Sequence, residues 1–397
     1  MAKVKNLLLL FIAVCYTIPV NAQGIEFFQG TWKEAMAKAK EEDKLLFVDA
    51  FAKWCGPCKK MSREVFTQEK VGKYFNKNFI NLKLDMEEAD GLTFGRKYPV
   101  SAYPTLFFLD GDGEVIKKVM GAQNADGLIG QGQLAIKSND KSPQYAALYV
   151  DGNRDYETVY KYIKSLNSAG KPSLKIANDY ILSKPDISEA QLALFLYEAT
   201  TEADSRIFDM MLEHKSIILE KVEEEDFRQK VVDACNATVI KSVEYDAEML
   251  LEEALDKCKQ ALGKDSEIEN LKFRMSYYAD MADTDSYFKY AEKLGKKAKK
   301  DPAIYKFITE DLLSKYKKDN RALKLAQDYS KALCKNQLNA ENAILRAMVL
   351  IEVKEYKETL TFVEESLEKI DNSDPLKPRL KSITKYVEGL IRQQSIN

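Results

Sequence analysis

The stretch Asp49–Met61 has the sequence DAFAKWCGPCKKM and places two cysteines, Cys55 and Cys58, three positions apart. The apolar residues 45–48 (LLFV) precede it, and such a short apolar run predicts a buried strand. We expect a helix to follow from Lys59 to about Tyr74. Cys55 then lies where a strand gives way to a helix N-terminus, whose partial positive charge and unpaired N–H groups stabilise a thiolate. The pattern therefore predicts a cysteine with a lowered pKa and raised reactivity.

The WCGPCK string at 54–59 resembles the active site of the thioredoxin superfamily, and the resemblance extends over about residues 24–137. Asp49 resembles the buried aspartate of that family, which implies that it helps to move the proton of the second cysteine. The turn Tyr103-Pro104-Thr105 resembles the family's cis-proline turn, which faces the cysteines and docks the substrate chain. Because cis X–Pro bonds are a small minority, we expect this one to serve a purpose.

The resemblance also implies a role for each residue of the motif. Cys55 is expected to be the exposed attacking thiolate and Cys58 the resolving thiol, and the two form a redox-active disulfide. The expected catalytic residues are Cys55, Cys58, Asp49 and Pro104, and the expected substrate-docking residues are Trp54, Gly56, Pro57 and Tyr103. Thioredoxin itself carries isoleucine where this chain has Tyr103, so we expect the redox potential and the substrate fit to differ.

The function that this resemblance implies is that of a thiol–disulfide oxidoreductase acting on protein disulfides. The Gly-Pro spacer is similar to that of reducing members, which favours a reductase or isomerase over an oxidase. The reaction implies no metal and no organic cofactor. It requires a disulfide-containing protein substrate, and outside the cytoplasm the resemblance suggests a membrane reductase as the electron donor.

Other interpretations of the cysteine pair compete with this one. A zinc site needs four ligands, whereas the single histidine, His214, and the other cysteines lie far away in helical sequence. A purely structural disulfide would leave the neighbouring matches at Trp54, Asp49 and Pro104 unexplained. The chain could also be a partner-binding helical-repeat protein whose thioredoxin-like domain is mainly structural or regulatory.

Residues 1–22 have the composition of a secretory signal peptide, with a basic start, an apolar run at 7–14 and small residues at the end. The apolar run is shorter than a transmembrane helix requires. We expect cleavage after Ala22 and a periplasmic or secreted protein. Lipidation at Cys15 and an uncleaved N-terminal anchor are the alternatives.

Removal of this segment leaves five cysteines, an odd number that cannot pair completely within one chain. Cys235, Cys258 and Cys334 lie in helical sequence far from the motif. A Cys235–Cys258 disulfide is compatible with an oxidising compartment. Free buried thiols that pack as small apolar residues are the alternative.

The charge balance of the chain excludes one class of function. It has 60 Lys and Arg residues against 62 Asp and Glu residues, and no basic stripe with interleaved aromatic residues. We therefore expect no nucleic acid among its partners. His214 lies between charged neighbours and is expected at the surface.

The periodicity of the first third predicts an α/β fold of the thioredoxin-like class. The expected helices are 32–42, 59–74, 89–97 and 126–136, and the expected strands are 44–51, 79–85, 105–109 and 114–119. The types of residues at 110–113 predict a hairpin turn between the last two strands. The polar segment 138–143 then breaks the pattern, so we place a thioredoxin-like domain at 23–137, a linker at 138–143 and a second domain at 144–397.

The second domain has almost no strand-like alternation, and it predicts about ten amphipathic helices. Three of its C-terminal segments are similar, with Phe288, Leu323 and Leu360 in equivalent places 35 and 37 residues apart. This spacing is near the tetratricopeptide period, and residues 354–358 resemble the turn of that family. We expect a TPR-like helical solenoid that offers a surface to a protein partner. An irregular helical domain is the alternative.

Overall fold

The structure is a computed structural model that describes residues 24–394. The chain divides into two compact units, with the boundary between Ala135 and Ile136. The predicted signal peptide, its cleavage after Ala22 and the alternative lipidation at Cys15 all lie outside the described residues and stay predictions.

The first unit has an α/β fold with a single four-stranded sheet among its described residues, as its periodicity predicts. In chain order its elements are α1 (Trp32–Glu41), β1 (Leu45–Phe51), α2 (Gly56–Glu64), α3 (Glu69–Asn78), β2 (Phe79–Asp85), α4 (Ala89–Lys97), β3 (Thr105–Leu109), β4 (Val115–Met120) and α5 (Ala125–Ser138). The strand order is β2-β1-β3-β4, with β1 and β2 parallel and the other pairs antiparallel. The strand that leads into the cysteine motif is therefore interior to the sheet.

The alternation of side chains along β1 decides which helices each residue meets. Leu46, Val48 and Ala50 belong to the core that includes residues of α1 and α4. Phe47 lies on the opposite face and contacts the rings of Phe66 and Phe75, beyond α2 and on α3. Asp49 and Phe51 share the face of Phe47, so a carboxylate is placed on the side of the sheet that packs beneath α2 and α3.

The predicted helix over 59–74 is wrong, because the segment forms two helices. Helix α2 begins earlier, at Gly56, and ends at Glu64, and α3 begins only at Glu69. Between them the backbone N–H of Phe66 donates to the carbonyl of Met61, and the carbonyl of Phe66 accepts from the N–H of Ile25 at 2.7 Å. β-Branched and aromatic residues disfavour helix, and here the Phe66 ring packs into the core instead.

The second unit is all-helical in the residues that the structure describes, and it contains fifteen α-helices where the sequence predicted about ten. They are α6 (Ser142–Val150), α7 (Tyr156–Ser168), α8 (Leu174–Leu182), α9 (Glu189–Ala199), α10 (Arg206–Glu213), α11 (Lys215–Ile218), α12 (Glu224–Glu244), α13 (Glu248–Leu262), α14 (Ser266–Asp280), α15 (Thr284–Lys297), α16 (Pro302–Tyr316), α17 (Asn320–Asn336), α18 (Ala340–Glu352), α19 (Tyr356–Lys369) and α20 (Lys377–Gln394). Many begin after a residue whose side chain accepts from a first-turn N–H group, for example Asp155, Ser188 and Asp283. Within 24–394, no helix has both the length and the apolar character that crossing a membrane would require.

The predicted linker, residues 138–143, overlaps the ends of two helices in the structure. Helix α5 continues to Ser138 and α6 begins at Ser142, so only residues 139–141 are non-helical. Lys171 pairs with Asp140 and donates to Ser142 at 3.0 Å, which fixes this short connection to the second unit. Polar residues of this connection thus make specific contacts with Lys171.

The C-terminal periodicity is present in the structure, shifted by one residue from the predicted positions. Tyr287, Ala322 and Thr359 are fully buried at corresponding places on α15, α17 and α19, each immediately before the predicted Phe288, Leu323 and Leu360. Ala291, Ala326 and Val363 repeat the pattern one turn later. Phe288 is buried too, but Leu323 and Leu360 are only half-buried. The tetratricopeptide resemblance itself stays a prediction.

Candidate active site

The cysteine pair lies at the N-terminus of α2, four residues after the end of β1. Cys55 and Cys58 form a disulfide with an S–S distance of 2.02 Å. Cys55 is the N-cap residue of α2, and its Sγ accepts from the backbone N–H of Cys58 at 3.1 Å. Pro57 lies in the first turn of the helix, where its missing N–H group costs little. When the disulfide is reduced, the N–H groups in the first turn of α2, including that of Cys58, can stabilise a thiolate at Cys55.

Both cysteines are buried in this disulfide state, which differs from the expectation that Cys55 is exposed. Cys55 is 3% exposed and Cys58 is 2% exposed. The two pack together with Ala52, and Phe51 and Tyr103 contact this small cluster. A substrate must therefore contact the residues that surround the sulfur atoms before it reaches them.

That surface contains the predicted substrate-docking residues. Gly56 and Pro57 are exposed, and Trp54 is 68% exposed. The Tyr103–Pro104 peptide bond is cis, as predicted, and the Tyr103 ring meets the Trp54 ring edge-on at a centroid distance of 5.7 Å. Trp54 Nε1 donates to Glu87 Oε1 at 2.8 Å, so the indole is held in place although it faces solvent.

Asp49 is the buried carboxylate of this site. It is 1% exposed, and neither carboxylate oxygen has a hydrogen-bond partner among residues 24–394. Burial raises the pKa of Asp49 to about 7, and the charge of Lys83 partly opposes this rise. An ionisable group that changes its protonation near neutral pH can accept a proton and return it.

Lys83 is the strand partner of Asp49, since the two residues are opposite each other in the parallel pairing of β1 with β2. Its Nζ donates to Ser62 Oγ at 2.5 Å and lies 4.9 Å from the centre of the Phe51 ring. Lys83, Ser62 and Cys58 line one cavity of about 380 Å³. Cys58 and Lys83, the strand partner of Asp49, therefore line the same cavity.

The sequence reasoning missed Lys83, Ser62 and Glu87. Lys83 carries little signal, because Asn81, Lys83 and Asp85 alternate with apolar residues in β2 as polar residues do in an ordinary half-buried strand. Ser62 and Glu87 carry none, since each is an ordinary polar residue in its segment. Their positions follow only from the pairing of strands and the place of α2.

Two lysines beside the motif lie close to carboxylates. Lys53 Nζ lies 3.3 Å from Asp85 Oδ2 and 2.5 Å from Glu88 Oε1. Lys60 lies 4.0 Å from Glu64. Opposite charges offset these two cations, whereas the helix N-terminus adds a positive potential at Cys55.

Cys235, Cys258 and Cys334 are free thiols, so the alternative of a Cys235–Cys258 disulfide is not what the structure contains. Cys235 and Cys258 are each fully buried on neighbouring helices, α12 and α13. A hydrogen bond to the Cys258 thiol, together with burial, raises the pKa of Cys235. His214, expected at the surface, is half-buried, and its Nδ1 lies 2.8 Å from the carbonyl of Met210 at the end of α10.

Comparison with known proteins agrees with this geometry. A family described as thioredoxin-like matches residues 27–111. Thioredoxin H4 of Arabidopsis thaliana is 35% identical over 95 residues, which are 24% of this chain and 75% of the relative. Thioredoxin of Echinococcus granulosus is 38% identical over 92 residues, which are 23% of this chain and 79% of the relative.

A solved structure shares more of its sequence with the first unit. It is the solution structure of a protein assigned as a disulphide-isomerase, from Bacteroides thetaiotaomicron, with 47% identity. The match covers 30% of this chain and 98% of that protein, with a TM-score of 0.28. The sequence relatives at 35% and 38% identity, of which this chain covers about three quarters, are sufficient by themselves. Through its first unit the chain belongs to the thioredoxin family, and it is a thiol–disulfide oxidoreductase.

Proposed function

We propose that the protein is exported and reduces or isomerises disulfides of other proteins through Cys55 and Cys58. The observation that carries this proposal is the arrangement of the cysteine pair at the N-terminus of α2 beside a buried carboxylate that has no hydrogen-bond partner among the described residues. Export is supported by the composition of residues 1–22 alone.

The first step is the attack of the Cys55 thiolate on one sulfur of the substrate disulfide. A bond forms between Cys55 and that sulfur, and the other substrate sulfur leaves as a thiolate. The N–H groups at the start of α2 stabilise the attacking thiolate, which favours its formation at neutral pH. The exposed Trp54, Gly56 and Pro57 offer the surface on which the substrate chain docks, together with Tyr103 and Pro104.

The second step releases the substrate. Cys58 loses its proton to Asp49, attacks Cys55 Sγ, and displaces the substrate sulfur as a second thiolate. The substrate has then gained two electrons, and the enzyme holds the Cys55–Cys58 disulfide that the structure contains. A pKa of about 7 suits Asp49 for this exchange, because a base with a pKa near the working pH can both take and return the proton.

The direction of the net reaction depends on what re-reduces the pair. The Gly-Pro spacer is similar to that of reducing members of the family, which supports reduction or isomerisation. Outside the cytoplasm, continued reduction needs an electron donor, and we propose a membrane reductase for this role. An isomerase needs no net supply of electrons, since the substrate's own thiolate completes the exchange.

A Cys58→Ala variant tests the proposal. Without the resolving thiol, the mixed disulfide between Cys55 and the substrate cannot be released, so substrate proteins are expected to accumulate as covalent adducts. Non-reducing gel electrophoresis followed by mass spectrometry of exported material measures them. The matched control is Cys58→Ala combined with Cys55→Ala, which is expected to trap nothing. Adducts of equal amount in that control would show that the trapping thiol is not Cys55.

A further inference from the structure

We propose that Ser62 is a positioning residue for the resolving step, because its hydroxyl holds the Lys83 ammonium where it faces Asp49. The inference rests on the proposed role of Asp49 as the proton acceptor for Cys58. Ser62 lies on α2, and the hydrogen bond described for it joins it to Lys83 rather than to a cysteine sulfur.

The strand pairing shows why Lys83 acts on Asp49. Paired residues on adjacent strands project to the same face, and Asp49 and Lys83 are direct partners between β1 and β2. Yet the carboxylate oxygens of Asp49 have no hydrogen-bond partner among residues 24–394, so Lys83 does not bond them directly. The interaction is therefore a through-space attraction, and its strength depends on where the ammonium is held.

Two contacts determine where that ammonium lies. One is the hydrogen bond to Ser62 Oγ at 2.5 Å, and the other is the Phe51 ring, whose centre is 4.9 Å away. The rings of Phe27 and Phe66 are more distant, at 6.0 Å each. Of these contacts, only Ser62 offers a hydrogen-bond acceptor, which makes it the directional one.

The charged groups around this site include both signs. The cavity that Lys83 lines is also lined by Lys53, Lys59 and Arg63, and of these Lys53 is paired with Asp85 and Glu88, and Arg63 with Glu64. Residues 45–51 of β1 contain no other ionisable group than Asp49, and β3 contains none. Cys58 does not titrate while it is in the disulfide. Without the Ser62 hydroxyl, hydration favours movement of the Lys83 ammonium away from Asp49.

The test follows the Asp49 carboxyl directly, in the oxidised full-length protein, where neither motif cysteine titrates. Carboxyl-labelled aspartate gives a carbon resonance that an Asp49→Asn variant identifies by its loss. Ser62→Ala is expected to raise the pKa of Asp49 by a few tenths of a pH unit, and Lys83→Met by about one unit. Ser62→Thr keeps the hydroxyl and is expected to stay near the wild-type value.

The double variant Ser62→Ala with Lys83→Met decides whether the serine acts through the lysine. We expect it to match Lys83→Met alone. An unchanged or lowered pKa in Ser62→Ala would overturn the inference, as would a Ser62 effect that persists without Lys83. An equal shift in Ser62→Thr would also overturn it, because the hydroxyl would then not be the cause.

A kinetic measurement separates this inference from the proposed function. The pH at which release of a mixed disulfide is half-maximal is expected to move with the Asp49 titration in Ser62→Ala. If Asp49→Asn releases substrate at the wild-type rate, the proposed proton step is wrong. The carboxyl titration would still decide, independently of activity, whether Ser62 positions Lys83.

Discussion

The two units each hold a close pair of cysteines, and the pairs have opposite surroundings. Cys55 and Cys58 lie at a helix N-terminus, beneath exposed residues, and form a disulfide. Cys235 and Cys258 lie in the interiors of α12 and α13, are fully buried and are free. Closeness of two sulfurs is thus common to both pairs and does not by itself make a redox site.

The difference comes from the backbone and the solvent around each pair. In the interior of a helix, the N–H groups are already bonded within the helix and cannot stabilise a thiolate. Contact with the Cys258 thiol and burial raise the pKa of Cys235, so its reactive form is scarce at neutral pH. At the start of α2, the N–H groups lack helical partners four residues earlier, and the Cys58 N–H donates to Cys55 Sγ. The comparison teaches that position in the helix separates the reactive pair from the structural one.

The sharpest test of this comparison removes one pair at a time. Cys55→Ser is expected to lower the rate of insulin-disulfide reduction by about a thousandfold or more, because the nucleophile is lost. The matched control replaces both Cys235 and Cys258 by alanine and is expected to leave the rate within about twofold. Comparable losses in the two variants would mean that the second pair takes part in electron transfer.

A second contrast concerns two carboxylates, the buried Asp49 of the first unit and the half-buried Asp204 of the second. Asp49 has no hydrogen-bond partner within 24–394, whereas Asp204 accepts from Lys241 Nζ at 2.5 Å and from Thr238 Oγ1 at 2.8 Å. Burial raises the pKa of Asp204, but these two hydrogen bonds outweigh it and hold that pKa below its usual range. One site therefore stores a proton near neutral pH, and the other keeps a permanent charge.

Asp49→Asn is expected to stabilise the first unit at high pH. Between about pH 4 and 7 the unfolded chain has lost this proton and the folded chain still holds it, so the free energy of unfolding falls as the pH rises. An amide removes this dependence, and the gain at pH 8 is roughly 2–4 kcal/mol, with little change at pH 4. Tryptophan fluorescence during denaturant unfolding measures the first unit alone, since both tryptophans, Trp32 and Trp54, lie in it.

The control for this prediction is Asp204→Asn, for which we expect the opposite change in the free energy of unfolding. Its charge is paired, so the amide loses a favourable interaction with Lys241 and is expected to destabilise the second unit at pH 8 by about 1–3 kcal/mol. Far-ultraviolet circular dichroism follows that unit, which contributes most of the helix. If Asp49→Asn were destabilising at pH 8, the conclusion that its carboxylate is unpaired would be wrong.

The parts of the site that the sequence predicted are those carried by residue types with special chemistry. Cys55 and Cys58, the proline after Tyr103 and the acid in β1 are each unusual for their position, and the structure brings all of them into one unit. Lys83 and Ser62 were missed because their importance depends on strand pairing and on the rotation of α2. Neither quantity can be read from spacing along the chain.

The fold was predictable where periodicity is strong and failed where tertiary contacts decide. Residues 79–85 alternate clearly and residues 105–109 form a short apolar run, and β2 and β3 lie at these predicted residues. The break between α2 and α3 depends on the packing of Phe66, which no local pattern reveals. In the second unit, a helical period predicts that one face is buried but leaves the centre of that face uncertain by one residue: Ala322 is buried, whereas the predicted Leu323 is half-buried.

The smallest change in stability is expected for the second unit when a reductant is added. The structure contains free thiols at Cys235, Cys258 and Cys334, and burial raises the pKa of Cys334 to about 11, although Arg346 partly opposes it. With so little thiolate at neutral pH, these groups are expected to stay reduced in air-exposed protein. The circular-dichroism unfolding curve of the second unit should therefore be the same with and without reductant, while the fluorescence curve of the first unit changes.

Counting thiols distinguishes this outcome from a hidden disulfide. A chain beginning at Gln23, oxidised at the motif and unfolded without reductant, should expose three reactive thiols, and five after reduction. A count of one would show that Cys235 and Cys258 had become linked. A loop of their length would then be expected to stabilise the second unit by about 3 kcal/mol, and reductant would shift its unfolding curve. The contrast between the two pairs would in that case be one of accessibility to substrate rather than of oxidation state.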